Sequence, residues 1–379
     1  MLNLASLRPW GALAACLTVS CAAAAADYTG TVIVNGLNNP RDVAIAPDGS
    51  LYITEAGVPS GTGPSTVIRG ETFTYTETGS VTRWMGGSQS RILTGLPSIY
   101  GATSGDVVGP NGIAFDPSGA PVIAIGAGVN PLLRSTDLAP GGINLSRLRL
   151  PGGSVDLGAY EAANNPAGGP IDSDPWHVAA IAGGYLVTDA GGNSLLRVGN
   201  DGTISTVASF ASRALGGPFP TEPVPTGVAV GPDGAYYVGE LTGFPFVPGA
   251  AQIYRIVPGN APTVFATGFT MISALAFGAD GHLYALEYDS NGLLNPGSDG
   301  ALWRVNGDGS RSLVFSDGLV NPTGLAAANG NFYVANMGHS TGQGDVLLLA
   351  PVPEPETAAL MLFGLGAIAF ARRKHIRRG

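Results

Sequence analysis

The sequence predicts an all-β protein, a six-bladed β-propeller that occupies residues 27–350. Three observations lead to this prediction: a composition suited to strands, a unit that recurs six times, and chain ends that complete one another. Charged residues make up 12% of the chain and glycine contributes 58 residues. Low charge with abundant glycine favours short strands joined by tight turns over helices.

The repeated unit begins with a proline and two further residues, continues as a small apolar strand, turns at a glycine, and ends in a second strand with a polar last residue. Its first copy runs from Pro40 through the turn Asp48-Gly49 to Glu55. A recurrence of this kind indicates one supersecondary unit per copy. The proline position of the six copies is occupied by Pro40, Pro110, Pro175, Pro225, Ile272 and Pro322.

A second hairpin follows most copies of the unit. One example is formed by residues 195–198 and 204–207 around the turn Asp201-Gly202. Each copy therefore supplies four antiparallel strands, and four-stranded units in a ring are propeller blades. A two-sheet β-sandwich is the alternative that strands and turns alone leave open.

The two ends of the repeat region complement each other. The sixth copy ends with residues 346–349 and lacks a fourth strand, whereas the N-terminal end begins with a spare strand at residues 31–34. This spare strand matches the fourth-strand pattern of residues 263–268. We therefore expect the N-terminal strand to close the last blade, which would join the ends of the ring without a disulfide.

Residues 1–26 have the order of a secretory signal peptide. Arg8 precedes an apolar run from Trp10 to Val19, and alanines follow as cleavage sites. A lipoprotein signal with lipidation at Cys16 is the alternative. Because Cys16 and Cys21 both lie inside this segment, the mature domain is expected to contain neither disulfides nor thiolate ligands.

Residues 351–379 form a separate C-terminal tail. The motif Pro353-Glu354-Pro355 is followed by an apolar run from Thr357 to Ala371 and then by a basic cluster. The run is shorter than the roughly 20 residues that span a bilayer comfortably, and the basic cluster should stay in the cytoplasm. The tail is thus predicted to be a short transmembrane segment that anchors the chain transiently while a protease acts at the motif.

This order of motif, apolar segment and basic end resembles the PEP-CTERM sorting signal. The resemblance implies recognition by an exosortase-type sorting protease, after signal peptidase has acted at the other end of the chain. It also implies release to the cell surface or extracellular matrix of a Gram-negative bacterium. A plain C-terminal anchor that is retained is the alternative.

The charge balance limits the partners of the domain. Residues 27–353 contain 25 acidic residues, 12 arginines and no lysine, because Lys374 is the only lysine of the chain. Such an acidic surface argues against nucleic acid and anionic membranes as partners. It tolerates cations, neutral sugars and other small molecules.

One face of the predicted ring carries nearly all the long connections. Loops that follow second strands and crossings into the next blade lie on the same side, and the opposite side has mostly minimal turns. Because binding sites are usually built from loops on a rigid scaffold, we expect function on this loop-rich face. Its expected loops and crossings are residues 56–79, 127–143, 158–174, 211–224, 241–249, 288–299 and 337–344.

Polar residues are predicted to ring the mouth of the central channel on that face. Carboxylates can hold a hard cation such as calcium there, although each carboxylate could instead cap backbone N–H groups or pair with an arginine such as Arg41. The predicted metal ligands, all at the ends of second strands, are Glu55, Asp189, Glu240 and Glu287. The predicted ligand-binding residues are Asp42, Asn111, Trp176, His177 and Asn336.

Parts of the sequence resemble the ScyD/ScyE family of propeller-like proteins, named after genes near scytonemin biosynthesis. The distinctive segments are residues 36–41, 161–166 and 172–175. The resemblance implies the fold and export more firmly than a reaction. In coarse pattern the repeats are also similar to NHL-repeat proteins and gluconolactonase-type lactonases, which bind a divalent cation at the channel mouth.

Two functional classes follow from the sequence. The first is a non-catalytic module that binds a small molecule, an exopolysaccharide or a protein through its loop-rich face. The second is a metal-dependent, lactonase-like hydrolase with its site at the channel mouth. We find no nucleophile-elbow, phosphate-loop or zinc-protease motif, so the first class is preferred, with catalytic residues and cofactor left open.

Overall fold

The computed structural model describes residues 28–352, apart from residues 216–218, 296 and 298. Its strands form six antiparallel sheets. The innermost strands of successive sheets contact one another in a closed circle. The predicted six-bladed propeller is therefore confirmed. The predicted signal peptide and nearly all of the predicted tail lie outside the described residues.

Each blade is built from strands that follow one another from the channel outwards. Blades one and two consist of β2 (Pro40–Ile45), β3 (Leu51–Glu55), β4 (Ser65–Ile68), β5 (Glu71–Met85), β6 (Ser88–Gly101) and β7 (Val107–Val108), then β8 (Pro110–Phe115), β9 (Pro121–Ile125), β10 (Arg147–Leu150) and β11 (Gly153–Asp156). Blades three and four consist of β12 (Pro175–Ile181), β13 (Gly184–Asp189), β14 (Ser194–Gly199) and β15 (Ile204–Ser209), then β16 (Pro225–Val230), β17 (Tyr236–Glu240), β18 (Ala251–Ile256) and β19 (Thr263–Phe269). Blades five and six consist of β20 (Ile272–Phe277), β21 (Leu283–Glu287), β22 (Ala301–Val305) and β23 (Arg311–Phe315), then β24 (Gly324–Ala328), β25 (Asn331–Asn336), β26 (Thr341–Pro351) and β1 (Tyr28–Asn38).

The N-terminal strand closes the last blade, as predicted. β1 pairs antiparallel with β26, from Tyr28 opposite Pro351 to Asn38 opposite Thr341. Val34 and Leu37 of this strand are fully buried, in the apolar cluster between blades six and one. The closing strand therefore contributes to the core as well as covering a sheet edge.

The core consists of six apolar clusters, one between each pair of neighbouring blades. The alternation of side chains along each strand explains this arrangement, because successive residues point into the clusters on opposite faces of the blade. The cluster between blades four and five is typical, with Tyr237 edge-on to both Phe265 and Phe277. The interior of the ring is thus left to polar side chains near the axis.

One expectation about the connections is wrong. Residues 56–79 do not form a loop, since β4 and the start of β5 lie there and pair with each other. The crossing into blade three contains a short helix, α1 (Leu157–Asn164), and the connection before it contains the 3₁₀ helices Pro131–Ser135 and Gly141–Asn144. The α1 sequence has no β-branched residue, and the Asp156 carboxylate accepts a hydrogen bond from the Ala159 N–H at 2.9 Å, an N-cap.

Candidate functional site

Three of the predicted metal ligands are held by arginines. The carboxylates of Glu55, Glu240 and Glu287 are almost wholly buried at the ends of their second strands. Each pairs with an arginine, and those arginines are Arg91, Arg213 and Arg311. Arg41, the partner that the sequence suggested, is not among them.

Glu240 accepts four hydrogen bonds. The Arg213 guanidinium donates to both carboxylate oxygens, at 2.5 and 2.6 Å. The Tyr254 hydroxyl and the Gln252 N–H add bonds of 2.9 and 3.1 Å. A bidentate, charge-assisted pair of this kind is strong and directional, so this carboxylate is neutralised by the crossing that precedes its blade.

Glu55 and Glu287 follow the same pattern, and each accepts four hydrogen bonds in all. Arg91 donates to both oxygens of Glu55, at 3.0 and 2.8 Å. Trp303 Nε1 and the Thr270 N–H donate to Glu287, at 2.7 and 2.6 Å. The structure thus supports, for these carboxylates, the capping and arginine pairing that the sequence left as an alternative to metal binding.

Asp189 has different surroundings, although it is also fully buried at the end of a second strand. Its donors are the Ser173 hydroxyl at 2.8 Å and the N–H groups of Asp174 and Gly192, at 2.7 and 2.9 Å. Among the residues that the structure describes, no arginine pairs with it. The neighbouring Asp174 substitutes for the carboxylate missing from blade two, since it accepts from the Ala127 N–H at 3.1 Å.

The predicted ring of metal ligands is consequently not assembled as one cluster. In residues 28–352, with the stated gaps, no three His, Cys, Asp or Glu side chains are arranged to hold a metal ion. Asn336 also serves its own blade: its Oδ1 accepts from the Val320 N–H at 2.8 Å and its Nδ2 donates to the Gly318 carbonyl at 3.1 Å.

A closed ring of hydrogen bonds links the blades around the channel. A side chain of each blade donates to a backbone carbonyl of the next, at distances between 2.5 and 3.0 Å. Around the ring the donors are Thr54, Asn111, Thr188, Thr226, Ser273 and Thr323. Asn111 is therefore engaged in joining blades two and three. Such buried hydrogen bonds satisfy carbonyls that β-pairing leaves free.

The residues at the two positions after the proline position are large in blades one and three and small in the other four blades, with Ser273-Ala274 in blade five. Blades two, four and six carry Asn or Thr followed by glycine. A Cβ on Gly112 would lie 2.7 Å from His177 Cα, and one on Gly324 would lie 2.5 Å from Asp42 Cα. These glycines therefore allow the inner strands of blades one and three to approach closely, and those blades carry the large pairs Arg41-Asp42 and Trp176-His177.

The large pairs meet in the channel. His177 Nε2 lies 3.6 Å from Asp42 Oδ2, with side chains 13% and 6% exposed. Asp42 also accepts from the N–H groups of Val43 and Ile113, at 2.8 and 3.0 Å. Burial raises the pKa of Asp42, while His177 and the two N–H groups act against that rise. The pair fills the channel below the mouth.

Arg41 lies at the mouth, on the loop-rich side of this pair. It is buried and donates to the carbonyls of Gly338 and Val107, each at 2.5 Å. Its guanidinium carbon lies 5.9 Å from the centre of the Trp176 ring, a cation–π distance. Burial raises the pKa of Tyr288 to about 12, and the nearby Arg41 charge acts against that rise.

A contact between a histidine and a carboxylate lies close to this group. His339 Nδ1 is 3.1 Å from Asp106 Oδ1. The hydrogen bond from His339 lowers the pKa of Asp106, and Arg41 contributes to that lowering. The mouth thus combines a guanidinium, two aromatic rings and a histidine–carboxylate pair, contributed by blades one, three, five and six. The sequence identified Trp176 but placed neither Tyr288 nor His339 there.

The size of the residues at these two positions was the signal that would have found this site. Where glycine is the second residue after the proline, the inner strand of that blade has little side-chain volume near the channel. The exceptions, at Arg41-Asp42 and Trp176-His177, mark side chains that occupy the channel. Tyr288 carries no comparable signal, because it follows a second strand in a loop of irregular length.

Two comparisons with known proteins bear on the chain as a whole. Residues 351–378 match the PEP-CTERM protein-sorting motif, so the chain carries a signal for export and sorting to the cell surface or exterior of Gram-negative bacteria, recognised by exosortase. No curated protein matches the sequence at a significant level. Within the residues that the structure describes, no helix is long and apolar enough to span a membrane.

Solved structures show the same fold. A gluconolactonase from Xanthomonas campestris matches with 14% identity and a TM-score of 0.52, over 87% of this chain and 92% of that one. A virginiamycin B lyase from Staphylococcus aureus matches with 16% identity and a TM-score of 0.49, over 86% of this chain and all of the other. The six sheets in a ring and the similarity to the gluconolactonase fold define the class, a β-propeller. The sorting motif further defines the protein as an exported, surface-sorted propeller.

Proposed function

We propose that this protein is a surface-displayed binding module that holds a neutral sugar unit of extracellular polysaccharide at its channel mouth. The observation that carries the proposal is the meeting of Arg41, Trp176 and Tyr288 there. Aromatic rings offer flat apolar faces for the C–H face of a sugar. Fixed polar groups beside them can bond its hydroxyls, a combination typical of ligand sites.

The surrounding loops support contact with an extended ligand. Large apolar side chains are exposed on crossings and loops of the same face, where Phe219, Phe244 and Leu294 are 73%, 61% and 61% exposed. The net charge of the whole chain is −9, which disfavours strongly anionic polymers. A neutral polysaccharide fits both the apolar loops and the charge.

The arginine pairing favours binding over the lactonase alternative. A metal-dependent hydrolase at the mouth needs carboxylates that are free to ligate a cation. The carboxylate oxygens of Glu55, Glu240 and Glu287 instead accept hydrogen bonds from arginine, hydroxyl, indole and backbone donors. The likeness to gluconolactonase is one of fold alone.

Titration calorimetry with polysaccharide purified from the matrix of the producing cells tests the proposal. Trp176→Ala should weaken binding at least tenfold, about 1.4 kcal/mol. Tyr288→Phe keeps the ring and should weaken binding less. Trp84→Phe is the matched control, because Trp84 lies in β5 of blade one, paired with Leu51 and Gln89 away from the mouth.

Equal affinities for Trp176→Ala and wild type would place the site elsewhere. Binding by no neutral polysaccharide, with all variants folded by circular dichroism, would reject carbohydrate as the ligand class.

A further inference from the structure

A second group of polar atoms lies outside the channel, where α1 packs against blade three. Glu161 of α1 is 1% exposed, and in the described part of the chain neither of its carboxylate oxygens has a hydrogen-bond partner. Asp172 Oδ1 and Ser194 Oγ are buried and unpartnered as well. Leaving such groups unsatisfied is costly, so this concentration of oxygen atoms requires an explanation.

The geometry brings these atoms around the turn after β13. A Cβ on Gly192 would lie 2.9 Å from Glu161 Oε2 and 3.2 Å from Asp189 Oδ2. A Cβ on Gly191 would lie 3.0 Å from Asp172 Oδ1. Ser194 is the cross-strand partner of Asp189. The two glycines therefore keep open a small space that is bordered by oxygen atoms.

The titratable groups in this space are all acidic. Burial, with Asp189 and Asp172 next in effect, raises the pKa of Glu161 to about 7. Burial, with Asp189 next, raises the pKa of Asp172 to about 6. Ionised carboxylates buried together repel one another strongly unless a cation or protons offset the charge.

We propose that this space is a calcium site, with Glu161, Asp189 and Asp172 as its carboxylate ligands and Ser194 Oγ and water completing the shell. The donor set consists of oxygen atoms alone, which suits a hard cation, and calcium tolerates the irregular geometry of such a set. In the described residues the carboxylates are not arranged around a single point, so the proposal requires the Glu161 side chain, whose oxygens have no bonds to break, to turn towards Asp189 when calcium binds. This site is separate from the channel and independent of the polysaccharide proposal.

The test is titration calorimetry and thermal unfolding of the exported protein after removal of metal with a chelator. Calcium is expected to bind with a stoichiometry of one and to raise the melting temperature increasingly with its concentration, because it binds the folded form. Glu161→Gln should weaken calcium binding at least tenfold. In the presence of chelator the melting temperature of this variant should be no lower than that of wild type, because the substitution removes repulsion between the buried carboxylates.

Two further variants keep the test decisive. Gly192→Ala fills the space without altering a carboxylate and should also weaken calcium binding at least tenfold. Asp345→Asn is the matched control: Asp345 Oδ1 is buried and unpartnered too, but it lies in blade six, so its variant should bind calcium as wild type does. No calcium binding by wild type would overturn the proposal, as would equal binding by Glu161→Gln. If the melting temperature of Glu161→Gln exceeds that of wild type by the same amount with and without calcium, protons alone offset the charge of the cluster. That result would overturn the proposal too.

Discussion

Blades three and four place a carboxylate at the same position of the repeat and surround it differently. Asp189 and Glu240 both end a second strand and both are fully buried. The crossing before blade four contributes Arg213 to Glu240, whereas the crossing before blade three contributes Glu161 and Asp172 near Asp189. The repeat therefore determines where a carboxylate lies, and the irregular crossing determines whether a positive charge meets it.

The largest expected effect comes from breaking the pair in blade four. Glu240→Gln keeps the shape of the side chain but leaves the Arg213 guanidinium without its counter-charge. We expect a loss of about 2 to 3 kcal/mol in free energy of unfolding, somewhat below the usual cost for a fully buried pair, because Arg213 is 23% exposed. Urea unfolding followed by fluorescence measures it. A loss below about 0.5 kcal/mol would mean that the pair contributes no net stability.

A smaller loss is expected in blade one. Arg91→Ala removes the cation from Glu55 but leaves the Thr82 hydroxyl and the Asn38 N–H, which donate to the carboxylate at 2.6 and 2.7 Å. Because the Arg91 side chain is 40% exposed, water can replace part of its interaction. We expect a loss of about 1 kcal/mol in the same urea experiment. An effect larger than that of Glu240→Gln would reverse the ranking of the two pairs.

Blade one also contains a buried carboxylate without an arginine partner among the described residues, Asp42. Its pKa is raised by burial, so the folded state holds the proton more tightly than the unfolded state. This contribution to stability is complete below the unfolded pKa of about 3.9 and is lost as pH rises through the folded value. The Asp42→Asn variant has no such loss.

Its free energy of unfolding should therefore increase relative to wild type as pH rises above about 4, by at most about 1.4 kcal/mol per pH unit. Unfolding of both proteins at several pH values gives the difference. A difference that does not change with pH would contradict the raised pKa.

The smallest effect is expected for Asp189→Asn in chelator. The amide oxygen can still accept from the Asp174 and Gly192 N–H groups, and the amide nitrogen can donate to Ser173 Oγ. Removing one negative charge from beside Glu161 and Asp172 offsets what is lost, so we expect a change of less than about 1 kcal/mol. A loss equal to that of Glu240→Gln would show that the two blades neutralise their carboxylates equally well.

The fold could be predicted from the sequence because the residues that specify each hairpin lie close together in the chain. Turn glycines such as Gly49 and Gly234, with alternating strands between them, specify each hairpin without long-range knowledge. The ends of the second strands were also located correctly. The arginines that pair with the carboxylates at these ends were not predicted. Arg91, Arg213 and Arg311 are 36, 27 and 24 residues from their carboxylates in sequence. They also come from different places: Arg91 and Arg311 lie in outer strands, and Arg213 lies in the crossing before blade four.

The channel residues show a subtler limit. Asn111 and Thr226 follow the proline position directly, whereas Asp42 and His177 come one residue later. Treating them as one set combined two registers, and in a strand a step of one residue changes the face on which a side chain lies. The residues equivalent to Asn111 in blades one and three are Arg41 and Trp176, the pair that meets at the mouth.

The strand that closes blade six links folding to secretion. β1 emerges first from a membrane translocation channel, yet its partner β26 emerges last, with Pro351 opposite Tyr28. The ring must therefore wait, with an open edge, until almost the whole chain has crossed. The sorting motif begins at the end of that final strand, so the segment that closes the ring and the segment that directs sorting adjoin one another. The last strand to complete the fold is therefore followed directly by the residues that direct the protein to the cell surface.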